Sequence, residues 1–131
     1  MDSLHVLTRK GATCSDLLTC LYGLKPIEIE VLLGTAKRGA STVDEVAAEV
    51  KRDRTTTHRC LSKLASAGLV YRRTYSMKGG GYYHAYSVVE PKKIREEASG
   101  KVREITESLL RLVLDFEADF QRRLDQDVRL V

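Results

Sequence analysis

The chain has 131 residues, enough for one compact domain and an appendage. Hydrophobic residues make up 43% of it and charged residues 31%, a balance that argues against wholesale disorder. Apolar runs are only a few residues long and the first ten residues lack the pattern of a secretory signal, so we expect a cytoplasmic chain with no membrane partner.

Positive charge is concentrated in one part of the sequence. The net charge is +4, but residues 51–78 alone contain eight lysines and arginines and one aspartate, a net charge of +7. Residues 1–50 carry a net charge of −2, and residues 90–131 carry −1. A solvated helix face would scatter its charges more widely, so this segment predicts a polyanionic partner.

Two short helices are predicted in the first 40 residues. Ser15 or Asp16 can cap the first helix, and Gly23 ends it because glycine accepts the left-handed conformation common at that position. Pro26 suits the first turn of the second helix. A lysine and an arginine followed by Gly39 are a suitable end for that helix.

A third helix is predicted to begin after Thr42. Thr42 and Glu45 match the capping box, in which the threonine caps the helix and the glutamate reaches back to the threonine N–H. The helical pattern continues to about Val50. The residues expected on its buried face are Val43, Val46, Ala47 and Val50.

A fourth helix is predicted over about residues 54–67, after a short polar turn. Asp53 or Thr55 can cap it, Gly68 ends it, and Thr57 can face either way. Its inner stripe is formed by Cys60, Leu61 and Leu64. Two short helices around such a turn are the sequence pattern of a helix-turn-helix, whose second helix is the recognition helix.

A β-hairpin is predicted directly after this motif. Residues 69–76 and 82–89 are rich in valine and tyrosine, as strands are, and residues 77–81 form a tip with three glycines. A helix-turn-helix followed by a hairpin is the winged arrangement. We therefore predict a mainly α-helical fold with a small β-hairpin wing, followed by a long C-terminal dimerisation helix.

The C-terminal helix is predicted from Lys92 to about Asp127, and its apolar residues form one stripe that ends at Val128. A helix of about 35 residues is too long to bury that stripe on the winged domain, residues 1–91. We expect residues 92–131 to pair, as in a coiled coil, with the same helix of a second subunit. The predicted dimer interface consists of Val102, Ile105, Leu109, Leu112, Phe116, Phe120 and Leu124.

The three cysteines predict no metal or disulfide scaffold. Their number is odd and they lack paired CxxC spacing, which structural zinc sites normally show. Cys60 lies among apolar helix positions and is expected to be a buried thiol. For Cys14 and Cys20 a structural role is favoured, and a redox or metal role stays open.

Four stretches occur in a characteristic order: TVDEVA at residues 42–47, RDRTTTHRCL at 52–61, GLV at 68–70 and GGYYHAY at 80–86. Together they resemble the winged helix-turn-helix of the TrmB-like archaeal regulators and, more distantly, that of the MarR group. The resemblance implies a dimeric DNA-binding transcription factor. Larger TrmB-like proteins also carry a sugar-binding domain, which the resemblance does not include, so we expect no small-molecule effector.

The candidate DNA-binding residues lie on the outer side of the recognition helix and on the wing, residues 72–82. Short hydroxyls near a helix start suit phosphate oxygens, and Arg59 can reach either a guanine edge or a phosphate. The glycine tip allows close approach of backbone to the duplex. The full set is Arg52, Arg54, Thr55, Thr56, His58, Arg59, Ser62, Lys63, Arg72, Arg73, Lys78, Gly79 and Gly80.

Catalytic motifs are not found in the sequence, and its three histidines are isolated, so we expect neither an enzyme nor a cofactor. The favoured function is a homodimeric, sequence-specific regulator of transcription that binds double-stranded DNA and associates with the nucleoid. One alternative is an architectural protein that coats DNA with little sequence preference. The other is a protein-interaction module whose basic surface is incidental.

Overall fold

The helices and strands follow the predicted winged order. The computed structural model describes residues 2–130, and the side chains of residues 4–126. The elements are α1 (Asp2–Thr8), α2 (Cys14–Tyr22), α3 (Pro26–Arg38), α4 (Val43–Val50), α5 (Arg54–Ser66), β1 (Val70–Ser76), β2 (Tyr82–Val88) and α6 (Pro91–Leu130). The predicted fold class, mainly α-helical with a two-stranded wing and a long C-terminal helix, is confirmed.

The N-terminal region differs most from the prediction. Helix α1 was not predicted, and α2 is capped by Thr13 rather than by Ser15 or Asp16. The reason is that Asp16 lies one turn inside the helix, where its carboxylate accepts a 2.9 Å hydrogen bond from the Thr13 N–H. Gly23 ends α2 in the left-handed conformation, as predicted.

The core lies between α3, α4, α5 and the hairpin. The predicted inner stripe of α5 is buried, and so are Val43, Val46 and Ala47 of α4. The prediction for Val50 was wrong in part, because this side chain is only half-buried at the end of α4. Thr57, left open by the sequence, is a core residue. The largest fully buried side chains are Leu24, Leu61, Leu64 and Leu69.

Strands β1 and β2 form an antiparallel hairpin in which Val70 pairs with Val88 and Ser76 with Tyr82. The first strand begins one residue later than predicted, because the Leu69 N–H bonds back to the carbonyl of Leu64 and closes the end of α5. Ser41 exchanges two backbone hydrogen bonds with Tyr86, of 3.0 and 2.7 Å. This bridge was not predicted, and it fastens the wing to the start of α4.

Helix α6 begins at Pro91, one residue earlier than predicted, since proline suits the first helical position. The chain divides into two compact units after Arg95. The residues of the predicted dimer interface, from Val102 to Leu124, have side chains between 43% and 67% exposed in the single chain. The side chain of Val128, the predicted end of the stripe, lies outside the described residues.

Gly34 of α3 permits close packing on α4, and its replacement is expected to destabilise the fold. The Cβ in Gly34→Ala would lie 2.6 Å from Cγ1 of Val50, a short branched side chain that cannot easily swing aside. We expect the free energy of unfolding in urea to fall by about 1–3 kcal/mol. The double variant with Val50→Ala should recover part of this loss.

Gly100 of α6 is the matched control, because a Cβ added there meets nothing within 4 Å. Gly100→Ala should therefore raise helix stability by about 0.5–1 kcal/mol, the ordinary effect of removing a helical glycine. If both alanine variants were stabilised alike, the close α3–α4 packing at Gly34 would be contradicted.

Candidate nucleic-acid interface

The start of α5 is fixed by Asp53. Its carboxylate accepts the Thr56 N–H at 3.0 Å, and its carbonyl accepts the Thr57 hydroxyl at 2.8 Å. The hydrogen bonds from Thr56 hold the pKa of the Asp53 carboxyl below its ordinary value, so it stays ionised at neutral pH. The sequence left the cap open between Asp53 and Thr55, and the structure assigns it to Asp53.

The outer face of α5 presents the predicted polar residues. Thr55, His58, Arg59 and Ser62 are exposed on one side of the helix, opposite the buried stripe. Thr56 is half-buried, and its N–H is already used by the cap. Among the described residues, Arg59 has no carboxylate within ion-pair distance, so its guanidinium is available to an external anion.

A groove of about 340 Å³ separates α5 from the wing. It brings together three predicted cationic or titratable residues, Arg54, His58 and Arg72. Its other lining residues, which are not in the predicted set of DNA-binding residues, are Thr42, Val43, Asp44, Tyr82, Tyr83, His84 and Tyr86. The start of α4 and the second wing strand thus belong to the same surface as α5.

Three predicted DNA-binding cations are engaged in ion pairs within the described chain. Arg52 pairs with Glu30 at 2.9 Å, and Arg54 pairs with Asp44 at 2.7 Å. Lys63 is the most constrained, because it is only half-exposed and its ammonium donates both to Glu28 at 2.8 Å and to the carbonyl of Gly23 at 3.0 Å. Lys63 therefore ties α5 to the α2–α3 connection.

Glu28 is a buried carboxylate beneath the recognition helix. Burial alone would raise its pKa, but the N–H of Lys25 at 2.7 Å and the ammonium of Lys63 outweigh this and hold the pKa below its ordinary value.

Close to Glu28, burial raises the pKa of the Cys60 thiol, and the Glu28 charge raises it further. Cys60 is thus a protonated, buried thiol, as predicted, while Cys14 is exposed and Cys20 half-exposed.

The wing has two different faces, because alternate residues of a strand point to opposite sides. Arg72 lies on the face that lines the groove, opposite Tyr86 in the hairpin. Arg73 lies on the other face, where its guanidinium stands 5.1 Å from the centre of the Tyr71 ring. The structure does not bring the two predicted wing arginines together.

The wing tip is a glycine turn. Gly79, Gly80 and Gly81 all have positive φ, between 87° and 103°, which residues with a Cβ rarely adopt. The Met77 N–H bonds to the Gly81 carbonyl at 2.9 Å and closes the turn. Lys78, Gly79 and Gly80 are all exposed at the tip, although the Gly80 N–H donates to the Met77 carbonyl at 3.2 Å.

Within the part of the chain that the structure describes, no cluster of histidine, cysteine and acidic side chains is arranged to hold a metal. The same residues include no helix long and apolar enough to cross a membrane.

Comparison with known protein families identifies the family of this chain. Residues 18–92 match the model of the family described as sugar-specific transcriptional regulator TrmB. The chain belongs to the TrmB family. The family match spans α3 to β2, so it includes every residue of the groove. The family is described as one of transcriptional regulators rather than of enzymes.

Two uncharacterised proteins of the archaeon Methanocaldococcus jannaschii are similar to this TrmB-family chain. The first is 36% identical over 85 residues, which cover 63% of this chain and 64% of that protein. The second is 38% identical over 87 residues, covering 66% and 72%. The alignment with the first relative thus spans slightly less than two thirds of that protein.

Two solved structures share the fold. A possible transcriptional regulator from Methanosarcina mazei superposes with a TM-score of 0.71 at 19% identity, covering 83% of this chain and 95% of its own. A protein of Sulfolobus tokodaii superposes with a TM-score of 0.59 at 24% identity, covering 72% and 93%. At these identities the likeness supports the fold of the TrmB-family chain alone.

Proposed function

We propose that this TrmB-family protein is a homodimeric transcriptional regulator that binds double-stranded DNA at specific sites. The observation that carries the proposal is the groove that Arg54 and His58 of α5 line together with Arg72 of the wing. In this proposal α5 enters the major groove, and the wing contacts the backbone or the minor groove. Membership of a family of transcriptional regulators supports the same function.

The proposed contacts on α5 follow from exposure and from pairing. Thr55, His58, Arg59 and Ser62 are exposed, and Arg59 is the long cation among them that is free of an ion pair with the described residues. Arg59 is proposed to read a base edge, where guanine offers two acceptors to a guanidinium. Lys63 is proposed to hold α5 in place rather than to contact DNA, because its ammonium is bound by Glu28.

The proposed phosphate contacts come from cations around this face. Lys51 is exposed directly before the recognition helix, and Arg72 lines the groove. At the wing tip, Lys78 is joined by the backbone of the exposed glycine turn, which carries no side chains and can approach a phosphate closely. Arg73 is proposed to contact phosphate from the far face of the wing.

Selection from random double-stranded DNA tests this function. A sequence-specific dimer should enrich an inverted repeat whose half-sites lie about 10 base pairs apart, or a multiple of that. Binding without any enriched sequence would favour the architectural alternative instead. A failure to bind duplex DNA at low salt would contradict both and favour a protein-interaction module.

Arg59→Ala tests the central contact. We expect binding to the selected site to weaken by about 1–3 kcal/mol per subunit if Arg59 reads a base, with a smaller loss on unrelated duplexes. The measurement is a titration of both duplexes by fluorescence anisotropy. Arg122→Ala in α6 is the control, because it removes the same charge from an exposed arginine that pairs with Asp119. Unchanged affinity in a folded Arg59→Ala protein would sink the assignment.

A further inference from the structure

The groove contains an acidic residue that does not fit a surface built only to attract DNA. Among the described residues that line it, Asp44 is the one with a carboxylate. Asp44 lies in the first turn of α4 and is 73% exposed, so it is not part of the core. A negative charge at this place repels phosphate and lowers affinity for every duplex.

Asp44 has one defined partner, the first residue of the recognition helix. Its Oδ1 accepts a hydrogen bond from Nη1 of Arg54 at 2.7 Å, which links the start of α4 to the start of α5. Ion pairs this exposed add little to stability, since solvent screens both charges and two long side chains lose freedom. The Asp44 charge favours the first turn of α4, as any carboxylate there would, but this does not require a partner on α5. Overall affinity and stability therefore leave the pairing of Asp44 with Arg54 unexplained.

The geometry of the Arg54 guanidinium indicates a different role for Asp44. Arginine has five N–H donors in one plane, and the bond from Nη1 to Asp44 leaves the edge formed by Nη2 and Nε free. That edge can donate two parallel hydrogen bonds to O6 and N7 of a guanine. Residues at the start of a recognition helix are the ones that reach base edges, and Arg54 is the first residue of α5.

We propose that Asp44 is a specificity-determining residue, which orients Arg54 toward a guanine and discourages it from binding phosphate. This rests on the proposed function, because it requires α5 to lie in the major groove. Asp44 acts through Arg54 and is a positioning residue in this proposal. The ion pairs of Arg52 and Lys63 differ from this one, since their partners Glu30 and Glu28 do not line the groove.

The test compares Asp44→Asn with the unchanged protein on three duplexes: the selected site, the same site with single base changes, and an unrelated sequence. Asparagine keeps the size and the preference for a helix start but removes the charge. We expect tighter binding to the unrelated duplex and a loss of about tenfold in preference for one guanine, within the range of a bidentate base contact. Thermal unfolding should change only slightly, because the ion pair with Arg54 is exposed and asparagine also suits the start of a helix.

Three further variants make the result decisive. Arg54→Ala should lose preference at the same base pair, and the double variant should lose no more than Arg54→Ala alone. Glu30→Gln, which frees Arg52 outside the groove, should raise affinity without changing base preference.

If Asp44→Asn binds all duplexes more tightly and keeps every base preference, the proposal for Asp44 is overturned while the proposed function stands. If the unchanged protein selects no sequence, sequence-specific binding and the role of Asp44 are overturned together.

Discussion

Affinity for duplex DNA is expected to fall by about 10³–10⁴-fold between 50 and 200 mM salt. Lys51, Arg72, Arg73 and Lys78 are exposed cations without an ion pair among the described residues, and Arg73 stacks on a tyrosine. If each subunit neutralises about three to four phosphates, a dimer releases about six to eight counterions. The logarithm of affinity then changes by about 0.9 per phosphate for each tenfold change in salt.

Anisotropy titrations at four or more salt concentrations give this slope. Arg72→Gln or Lys78→Gln should each lower it by about two in a dimer, because each removes one phosphate contact per subunit. Arg122→Gln, an exposed arginine of α6, should leave it unchanged. A nearly flat dependence in the unchanged protein would contradict the phosphate contacts assigned to these residues.

This slope counts only about half of the cations of residues 51–78, and the main reason lies in the partners of three others. This segment has eight lysines and arginines and a net charge of +7, and seven of the eight are candidate DNA-binding residues from the sequence. In the structure, Arg52, Arg54 and Lys63 are each within 3 Å of a carboxylate. Their partners lie 22, 10 and 35 residues away in the chain, a distance at which sequence spacing indicates no pairing.

Local signals in the sequence predicted the frame of the candidate site well. The capping box of Thr42 and Glu45, the cap at Asp53 and the glycine wing tip each involve neighbours within a few residues. Such interactions depend on backbone geometry that residue type largely determines. The inner stripe of α5 was equally clear, because helical spacing separates buried from exposed positions.

The interactions that shape the groove are long-range, which is why the sequence did not reveal them. The Ser41–Tyr86 bridge joins a loop to a strand 45 positions later, and nothing in either stretch marks the pairing. Asp44 could be interpreted only as a favourable charge at the start of a helix. Its role against Arg54 becomes visible once α4, α5 and the wing are packed together.

Dissociation of the proposed dimer is the largest effect expected from a single substitution, Phe116→Asp. Phe116 stacks on Phe120 at a ring distance of 5.5 Å, and both belong to the apolar stripe of α6. In a two-fold dimer the substitution places two charges in the seam and removes two aromatic anchors. If the substitution costs about 2 kcal/mol of binding free energy in each subunit, the dissociation constant of the dimer should rise by about 10³-fold. Sedimentation equilibrium measures this directly.

Leu114→Asp is the matched control for this prediction. Leu114 is two residues from Phe116, which corresponds to a rotation of about 200° around the helix axis. Leu114 therefore lies on the opposite side of α6, where it is 83% exposed. The control should remain dimeric and keep full affinity for the inverted repeat. Phe116→Asp should bind that repeat only as tightly as a single half-site, because one monomer reaches one half-site. Equal disruption by both substitutions, or a monomeric unchanged protein at micromolar concentration, would show that this stripe is not the seam of a dimer.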